Sequence, residues 1–299
     1  MESEEASAEG RAKVANMQLK KIISSLRQGP IIPLIVIVGF SIIAISAPLI
    51  APYSAYEMTL TDRLKPPFWE TGGSLSHPLG TDALGRDLLS RIIFGSRVSL
   101  LVALLTLLLG GVIGASIGIV SGYFGGRVDA VLMRAADSTM SFPIILFAII
   151  LMVSLGPKTS NVILGIGLVL WARIARVIRG EVLSLRERDF IAQARIVGCS
   201  SMRIMTHHLF PNIFSTLMVL LTLQLGWVII VEASLSFLGA GVPPPEPAWG
   251  SMVADGRDYL TTAWWLSTLP GGAIVLVVLA LNLFGDWLRD TLDPKLRQV

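Results

Sequence analysis

Cysteine, histidine and charge are all scarce in this sequence. The single cysteine cannot form an internal disulfide or a multi-cysteine metal site, and three histidines leave little material for a histidine metal site. Charged residues make up 15% of the 299 residues, whereas about 25% is usual in soluble domains. A formal net charge of +3 is too small and scattered to indicate nucleic acid as the partner. With 53% hydrophobic residues and a mean hydropathy of +0.70, the chain is predicted to lie in a membrane.

Six stretches of the sequence contain no Asp, Glu, Lys or Arg. They are residues 31–56, 98–126, 138–157, 159–172, 209–231 and 259–285. A helix needs about 20 apolar residues to cross a bilayer, and five stretches supply them. The fourth is short and is expected to cross with Arg173 and Arg176 extending to the headgroups. The first exceeds the 7–15 apolar residues typical of a signal peptide. We therefore predict an all-α protein with six transmembrane helices, the first of them uncleaved.

The distribution of basic residues predicts the orientation. With the N-terminus inside, 17 of the 24 Lys and Arg residues fall in segments on the inner side. The positive-inside rule then places both termini in the cytoplasm. A long outer segment, roughly residues 57–97, keeps five basic residues, which the rule tolerates because long loops translocate largely regardless of charge.

The cytoplasmic segment between the fourth and fifth spans has a helix–glycine–helix pattern. Phe190, Ala194 and Val197 share one helical face, and the same spacing resumes after Gly198 in Ile204, His208 and Pro211. Such a pair of short helices either lies on the membrane surface or binds a partner. The pattern alone leaves both alternatives open.

The same segment resembles the cytoplasmic signature of the permease subunits of ABC importers. Aligned on Gly198, the signature's second Ala falls on Ala194 and its Pro on Pro211. Four signature positions differ, with Ala192, Gln193, His208 and Phe210 in place of Glu, Ala, Ile and Leu. The spacing typical of the dipeptide, oligopeptide and nickel branch is present as Arg195, Gly198, Ser200, His208, Pro211 and Asn212.

Three further blocks carry the resemblance, at residues 77–100, 232–250 and 282–294. They contain His-Pro-Leu-Gly-Thr-Asp, Glu-Ala-Ser-Leu-Ser-Phe-Leu-Gly and Asn-Leu-Phe-Gly-Asp. The blocks are similar to the C-type permease of the dipeptide, oligopeptide and nickel importers, and the resemblance extends over the chain from about residue 30 to 297.

The resemblance implies the type I permease fold of ABC importers, in a bacterial or archaeal cell membrane. It also implies a second, related permease, two cytoplasmic ATPases and an external substrate-binding protein as partners. The sequence has no Gly-x-x-x-x-Gly-Lys-Ser/Thr phosphate loop, so we expect a non-catalytic chain that binds no cofactor or metal, with ATP and Mg on the ATPases. The cargo stays open among dipeptides, oligopeptides, nickel chelates, glutathione and sugars.

The implied organisation has four parts. They are a cytoplasmic tail at 1–30, the first helix with an external segment at 31–97, a five-helix core at 98–288 with a coupling segment at 180–211, and a cytoplasmic tail at 289–299. The resemblance assigns ATPase coupling to Ala194, Arg195, Gly198, Cys199, Ser200, Arg203, His208 and Pro211.

Two polar residues near the outer end of the fifth span have two possible roles. Glu232, with Ser236, is a candidate for the pathway or its gate, because an intramembrane carboxylate is by default functional. Alternatively, Glu232 only braces the adjacent loop. Asp82, Arg86 and Asp87 are expected to form bracing ion pairs rather than to contact substrate.

The rival function is an ion-coupled secondary transporter. That class typically has ionisable groups near the midplane and an internal repeat, whereas these stretches are almost free of charge. An intramembrane protease would need a Ser/His, Asp/Asp or His-Glu-x-x-His arrangement in the spans, and none is present.

Overall fold

The computed structural model describes residues 30–292, and most of this range is helical, as predicted. The predicted tails lie mostly outside the described residues. The helices are α1 Ile31–Ile50, α2 Leu88–Phe124, α3 Gly126–Met140, α4 Ile144–Leu155, α5 Thr159–Arg186, α6 Asp189–Ile196, α7 Ser201–Phe237, α8 Trp249–Gly256 and α9 Trp265–Leu292. Short 3₁₀ turns lie at Leu60–Asp62 and Arg257–Tyr259.

Five of these helices, α1, α2, α5, α7 and α9, are long and apolar enough to cross a membrane. The predicted third span, residues 138–157, is not a single helix, because α3 and α4 meet there at a bend of 85°. The 12 residues of α4 reach about 18 Å at 1.5 Å per residue. Pro143 causes the break, since it lacks an amide hydrogen and disfavours helical geometry at the preceding Phe142. Counted together, α3 and α4 bring the spans to the predicted six.

Helix α2 begins earlier than the charge-free stretch at Val98 indicates. Asp87 caps its N-terminus, because Oδ2 accepts hydrogen bonds from the Ser90 amide at 2.8 Å and from Ser90 Oγ at 2.7 Å. Arg91 and Arg97 lie in the first turns of the helix, and because they are charged, the charge-free stretch used for the prediction begins only at Val98. The expected division at residue 97 therefore falls inside α2.

Helix α5 continues past Ala172 to Arg186, so the short fourth stretch belongs to a 28-residue helix. Its arginines do not all extend freely to headgroups. Arg176 bonds to Asp137 of α3, and Arg179 Nε donates to Asp129 Oδ1 at 2.7 Å. Arg173 instead lies over the Trp227 ring of α7, 4.7 Å from its centroid. The α3 carboxylates thus neutralise part of the basic face of α5.

The most extensive helix contact joins α2 to α5. Glycines at every fourth position of α2 face α5 and let the two backbones approach closely. These glycines are Gly110, Gly114, Gly118 and Gly122. A Cβ added at Gly118 would lie 2.7 Å from the Ala175 carbonyl oxygen and 2.9 Å from Ile178 Cβ. There is no room for a methyl group at this crossing.

The α1–α2 connection, residues 51–87, is tied to the rest by two tryptophans of the α8–α9 region. Trp264 Nε1 donates to Glu70 Oε1 at 2.6 Å, and Trp265 Nε1 donates to the Thr81 carbonyl at 3.3 Å. A third tryptophan, Trp249, is fully buried and donates from Nε1 to the Ile92 carbonyl of α2 at 3.0 Å. The connection is therefore a folded layer over the ends of α2, α8 and α9.

We expect Gly118→Ala to destabilise the folded chain, because the added methyl group forces α2 and α5 apart. Overpacking of this kind costs about 1–3 kcal/mol. The matched control is Gly39→Ala in α1, where an added Cβ meets nothing within 4 Å. Thermal unfolding in detergent should show a lower midpoint for Gly118→Ala and an unchanged or higher one for Gly39→Ala. Equal midpoints would contradict the packing argument.

Candidate functional site

The predicted turn at Gly198 is present and has a defined hydrogen-bond pattern. Helix α6 ends at Ile196, and Gly198 follows with φ of +79°. The Cys199 amide donates to the Ala194 carbonyl at 3.0 Å, and the Gly198 amide donates to the Arg195 carbonyl at 3.0 Å. These two bonds form a Schellman motif, whose left-handed residue is normally glycine. The turn is therefore locally encoded by Gly198.

The second helix of the pair starts directly after the turn. Ser200 caps it, since its Oγ accepts a hydrogen bond from the Arg203 amide at 3.3 Å. The helix continues through a π-helical segment at Ile204–Leu209 and past Pro211 without a break. The π segment precedes the proline, whose missing amide hydrogen interrupts the regular ladder, and Asn212 Nδ2 donates to the His208 carbonyl at 2.6 Å. Pro211 thus lies at the start of the regular α-helical part, Phe210–Phe237, of a continuous helix that begins at Ser201.

The buried face of this helix pair differs from the predicted one. Ala194 is buried, but its buried companions are Ile191, Ile204 and Leu209, not Phe190 and Val197. The apolar side chains that remain exposed surround the turn: Ile196 is 84% exposed, Val197 77% and Met202 66%. We call these three residues the apolar tip. Sequence reasoning missed the apolar tip, although three large apolar residues within four positions of a polar turn were a signal for it.

The helix pair contacts the C-terminal end of α2. The Arg195 guanidinium lies 5.4 Å from the centroid of the Tyr123 ring, and Tyr123 Oη donates to Ser201 Oγ at 3.4 Å. One turn away, Arg186 Nη1 donates to the Gly122 carbonyl at 3.1 Å. Both helices that flank Gly198 are therefore connected to α2.

The predicted coupling residues come together in this one segment. Arg195, Gly198, Cys199, Ser200 and Arg203 lie at the turn or within one helical turn of it, whereas His208 and Pro211 lie further along α7. Arg203 is exposed, and Cys199 is half-buried. Their role in coupling to an ATPase stays a prediction at this point.

A family model described as "binding-protein-dependent transport system inner membrane component" matches residues 110–298 of the chain. That range contains α3 to α9 and the last part of α2, including the helix pair and the apolar tip. The chain belongs to this family.

Proteins similar to this chain match it over most of its length. It is 42% identical to the dipeptide transport system permease protein DppC of Escherichia coli (strain K12), over 91% of this chain and 90% of that protein. It is 39% identical to the Haemophilus influenzae protein of the same name, over 91% and 92%. It is 43% identical to a putative peptide transport system permease protein of Brucella suis, over 91% and 88%.

A solved structure shows the same fold. The MetNI methionine ABC transporter in an inward-facing conformation matches with a TM-score of 0.56 at 18% identity, over 68% of this chain and 97% of that chain. The inner membrane component therefore has the type I permease fold of ABC importers.

Glu232 and Ser236 of the inner membrane component lie beneath the α7–α8 connection, residues 238–248. Both are buried, and Ser236 Oγ donates to Glu232 Oε1 at 2.8 Å while accepting a hydrogen bond from the Val242 amide at 3.3 Å. This geometry corresponds to the bracing alternative within the single chain. A pathway or gating role for the two residues stays a prediction.

On the same side as Glu232, a cluster of charged residues joins the α1–α2 connection to α2 and α8. Asp82 bonds to Arg86, as the spacing predicts, but in a turn before α2 and not in a helix. Asp87 bonds to His77 Nδ1 at 2.9 Å and caps α2. Sequence spacing could not have found Arg91, which also bonds to Asp82, nor the distant Asp255.

Two carboxyl groups of this region have altered pKa values. A hydrogen bond from Lys65 lowers the pKa of Asp62. The pKa of Asp255 is raised, because partial burial of its carboxylate outweighs the attraction of Arg91 and Arg86. Asp255 is thus held in its charged form less firmly than an isolated carboxylate in water.

We expect Ser236→Ala to loosen the α7–α8 connection, since it removes the bonds to both Glu232 and Val242. Loss of a buried hydrogen bond costs about 1–3 kcal/mol. Glu232→Gln is the matched control, because the Gln amide oxygen can still accept from Ser236. Hydrogen exchange of residues 238–248 should be faster in Ser236→Ala and near wild type in Glu232→Gln. Equal exchange in both variants would show that Ser236 does not hold the connection.

Proposed function

We propose that this chain is the permease subunit of an ATP-driven importer that takes up di- or oligopeptides delivered by an external binding protein. The observation that carries the proposal is the exposed apolar tip at a rigid, glycine-encoded turn, inside the region that the family model matches. Exposed apolar side chains concentrated on a projecting turn are typical of a protein–protein contact. The relatives named for dipeptide and peptide transport support the cargo class.

The contact is proposed to be with a cytoplasmic ATPase. Arg195 and Arg203 flank the apolar tip and supply a basic rim around it. A hydrophobic centre with a polar rim is the usual arrangement of a protein interface. The excess of Lys and Arg supports a cytoplasmic position for this side and for both termini.

The contacts of the helix pair support rigid-body transmission. Motion of the apolar tip would reach α7 directly, since α7 starts at Ser201, and α2 through Tyr123. Arg186 connects α5 to the same end of α2. Nucleotide-driven movement of the ATPase would therefore displace three spanning helices together. ATP and Mg bind to the ATPases in this proposal, and a second, related permease forms the other half of the pathway.

The ion-coupled alternative lacks comparable support. An ion-driven transporter needs ionisable groups that respond to the ion within the membrane. Glu232 is a carboxylate of a spanning helix, but it lies under the α7–α8 connection and is bonded to Ser236. The family assignment and the peptide-transport relatives likewise favour the importer subunit.

Reconstitution tests the proposal as a whole. In liposomes, the purified chain alone should show neither ATP hydrolysis nor uphill peptide uptake. With the second permease, both ATPases and the binding protein present, both activities should be measurable. Peptide accumulation by the isolated chain under a proton or sodium gradient would refute the importer-subunit proposal and favour a secondary transporter.

A substitution at the turn tests the coupling role. We expect Gly198→Asp to lower peptide uptake by the complete importer at least tenfold, because a charged side chain beside the apolar tip obstructs docking. The chain should still fold, because a Cβ at Gly198 meets nothing within 4 Å and the strain of a side chain at φ of +79° is matched by that in the control variant. Gly126→Asp is the control: Gly126 also has positive φ, at +54°, and open space around it. Uptake within twofold of wild type in Gly198→Asp, with normal membrane levels, would exclude the turn from coupling.

A further inference from the structure

A cavity of about 420 Å³ lies beside the charged cluster, on the side opposite to the apolar tip. It is bounded by the turn that precedes α2, the first residues of α2, helix α8 and the start of α9. Its wall combines both signs of charge with apolar side chains, including Arg86, Arg91, Asp255, Asp258, Met252 and Leu266. Cavities that bind small molecules measure roughly 300–1,000 Å³ and share this mixed character.

Asp82 is the structural partner of both arginines. Its Oδ1 accepts from the Leu84 amide at 2.8 Å and from the Arg86 amide at 3.0 Å. Its Oδ2 accepts from Arg86 Nε at 2.6 Å and from Arg91 Nη1. One carboxylate thus anchors two guanidinium groups and has no capacity to serve their remaining donors.

The second carboxylate near the two arginines, that of Asp255, does not accept hydrogen bonds from their remaining donors. Asp255 Oδ2 lies 4.0 Å from Arg86 Nη2 and 3.9 Å from Arg91 Nη2, too far for hydrogen bonds. The Asp255 side chain is 59% exposed, whereas that of Arg91 is 4% exposed. Arg91 Nε is buried without a hydrogen-bond partner among the described residues. This unpaired Nε is costly to the folded chain, and the Nη2 atoms of both arginines also keep donors for a closer acceptor in the cavity.

We propose that this cavity is a subsite for the terminal carboxylate of a peptide passing through the importer, with Arg86 and Arg91 as its ligands. The inference rests on the proposed function. Two guanidinium groups that converge on one point match the geometry of a carboxylate. The incoming carboxylate takes the position that Asp255 approaches but does not fill, and Asp255 and Asp258 then face the rest of the zwitterion.

The recessed position of the arginines favours a small ligand over a protein partner. Arg86 is 10% exposed at its side chain and Arg91 is 4% exposed, so a carboxylate must enter the cavity to reach them. A carboxylate on the surface of a docked binding protein would contact Asp255 first, which has the same charge. Because Asp255 forms no hydrogen bond with either arginine, its displacement by a free carboxylate costs little free energy.

Photolabelling of the complete importer tests the subsite. The probe is the dipeptide alanyl-photoleucine, delivered by the binding protein, and the labelled positions of this chain are mapped by mass spectrometry. We expect labels on residues that line the cavity. Arg86→Gln should reduce them at least fivefold, and Asp255→Asn should increase them at least twofold, since it removes the competing carboxylate. Arg97→Gln, which changes an exposed arginine of α2 outside the cavity, should have no effect.

The outcomes separate this inference from the proposed function. Uptake of the same dipeptide is measured in parallel. If wild-type importer takes up the dipeptide but labels lie elsewhere, or Asp255→Asn leaves the labelling unchanged, the subsite is wrong and the importer function stands. If the assembled importer takes up no peptide, the proposed function itself fails. Because Asp82 and Arg86 also support the fold, Asp255→Asn decides the question should Arg86→Gln fail to assemble.

Discussion

The close contact between α2 and α5 is the constraint on which the rest of this structure depends. Glycines at every fourth position remove the side chains that would separate the two backbones, and Gly114 and Gly118 approach carbonyl oxygens of α5 directly. In lipid, such contacts replace the hydrophobic driving force that water provides in soluble proteins. The 37 residues of α2 reach about 55 Å at 1.5 Å per residue. A helix of that length, fixed along its side by α5, connects the two faces of the bundle as one body.

Each end of α2 is joined to a candidate site. At one end, Tyr123 contacts the helix pair that carries the apolar tip. At the other, Arg91 belongs to the charged cluster, and Gly95 lies against the buried Trp249 ring. Displacement of the apolar tip would therefore be felt at the cavity beside Arg91 without any change inside the helix. This arrangement gives a physical route between the proposed ATPase contact and the proposed peptide subsite on the opposite face.

The local features of the fold were predictable from the sequence, and the non-local ones were not. Gly198 between two short amphipathic patterns predicted the turn, because a Schellman motif is encoded within a few residues. The capped start of α2 escaped prediction, since Arg91 interrupts the charge-free stretch and its partner Asp82 was not considered with it. The broken third span was signalled by Pro143 and was overlooked. The approach of Asp255 to Arg86 spans more than half of the chain, and spacing rules carry no information about such pairs.

The ion pairs are positioned to hold neighbouring elements together, and not to change their charge during a transport cycle. In the described part of the chain, they lie in the connections, along α3 and α5, and in the cluster next to the cavity. There they join neighbouring elements into rigid units, as Arg179 and Asp129 join α5 to α3. A transporter driven by protons or sodium needs ionisable groups whose charge changes within the membrane during each cycle. Here the charges fasten the ends of a rigid bundle, which agrees with the proposal that the force that reorients it is applied from outside, at the apolar tip.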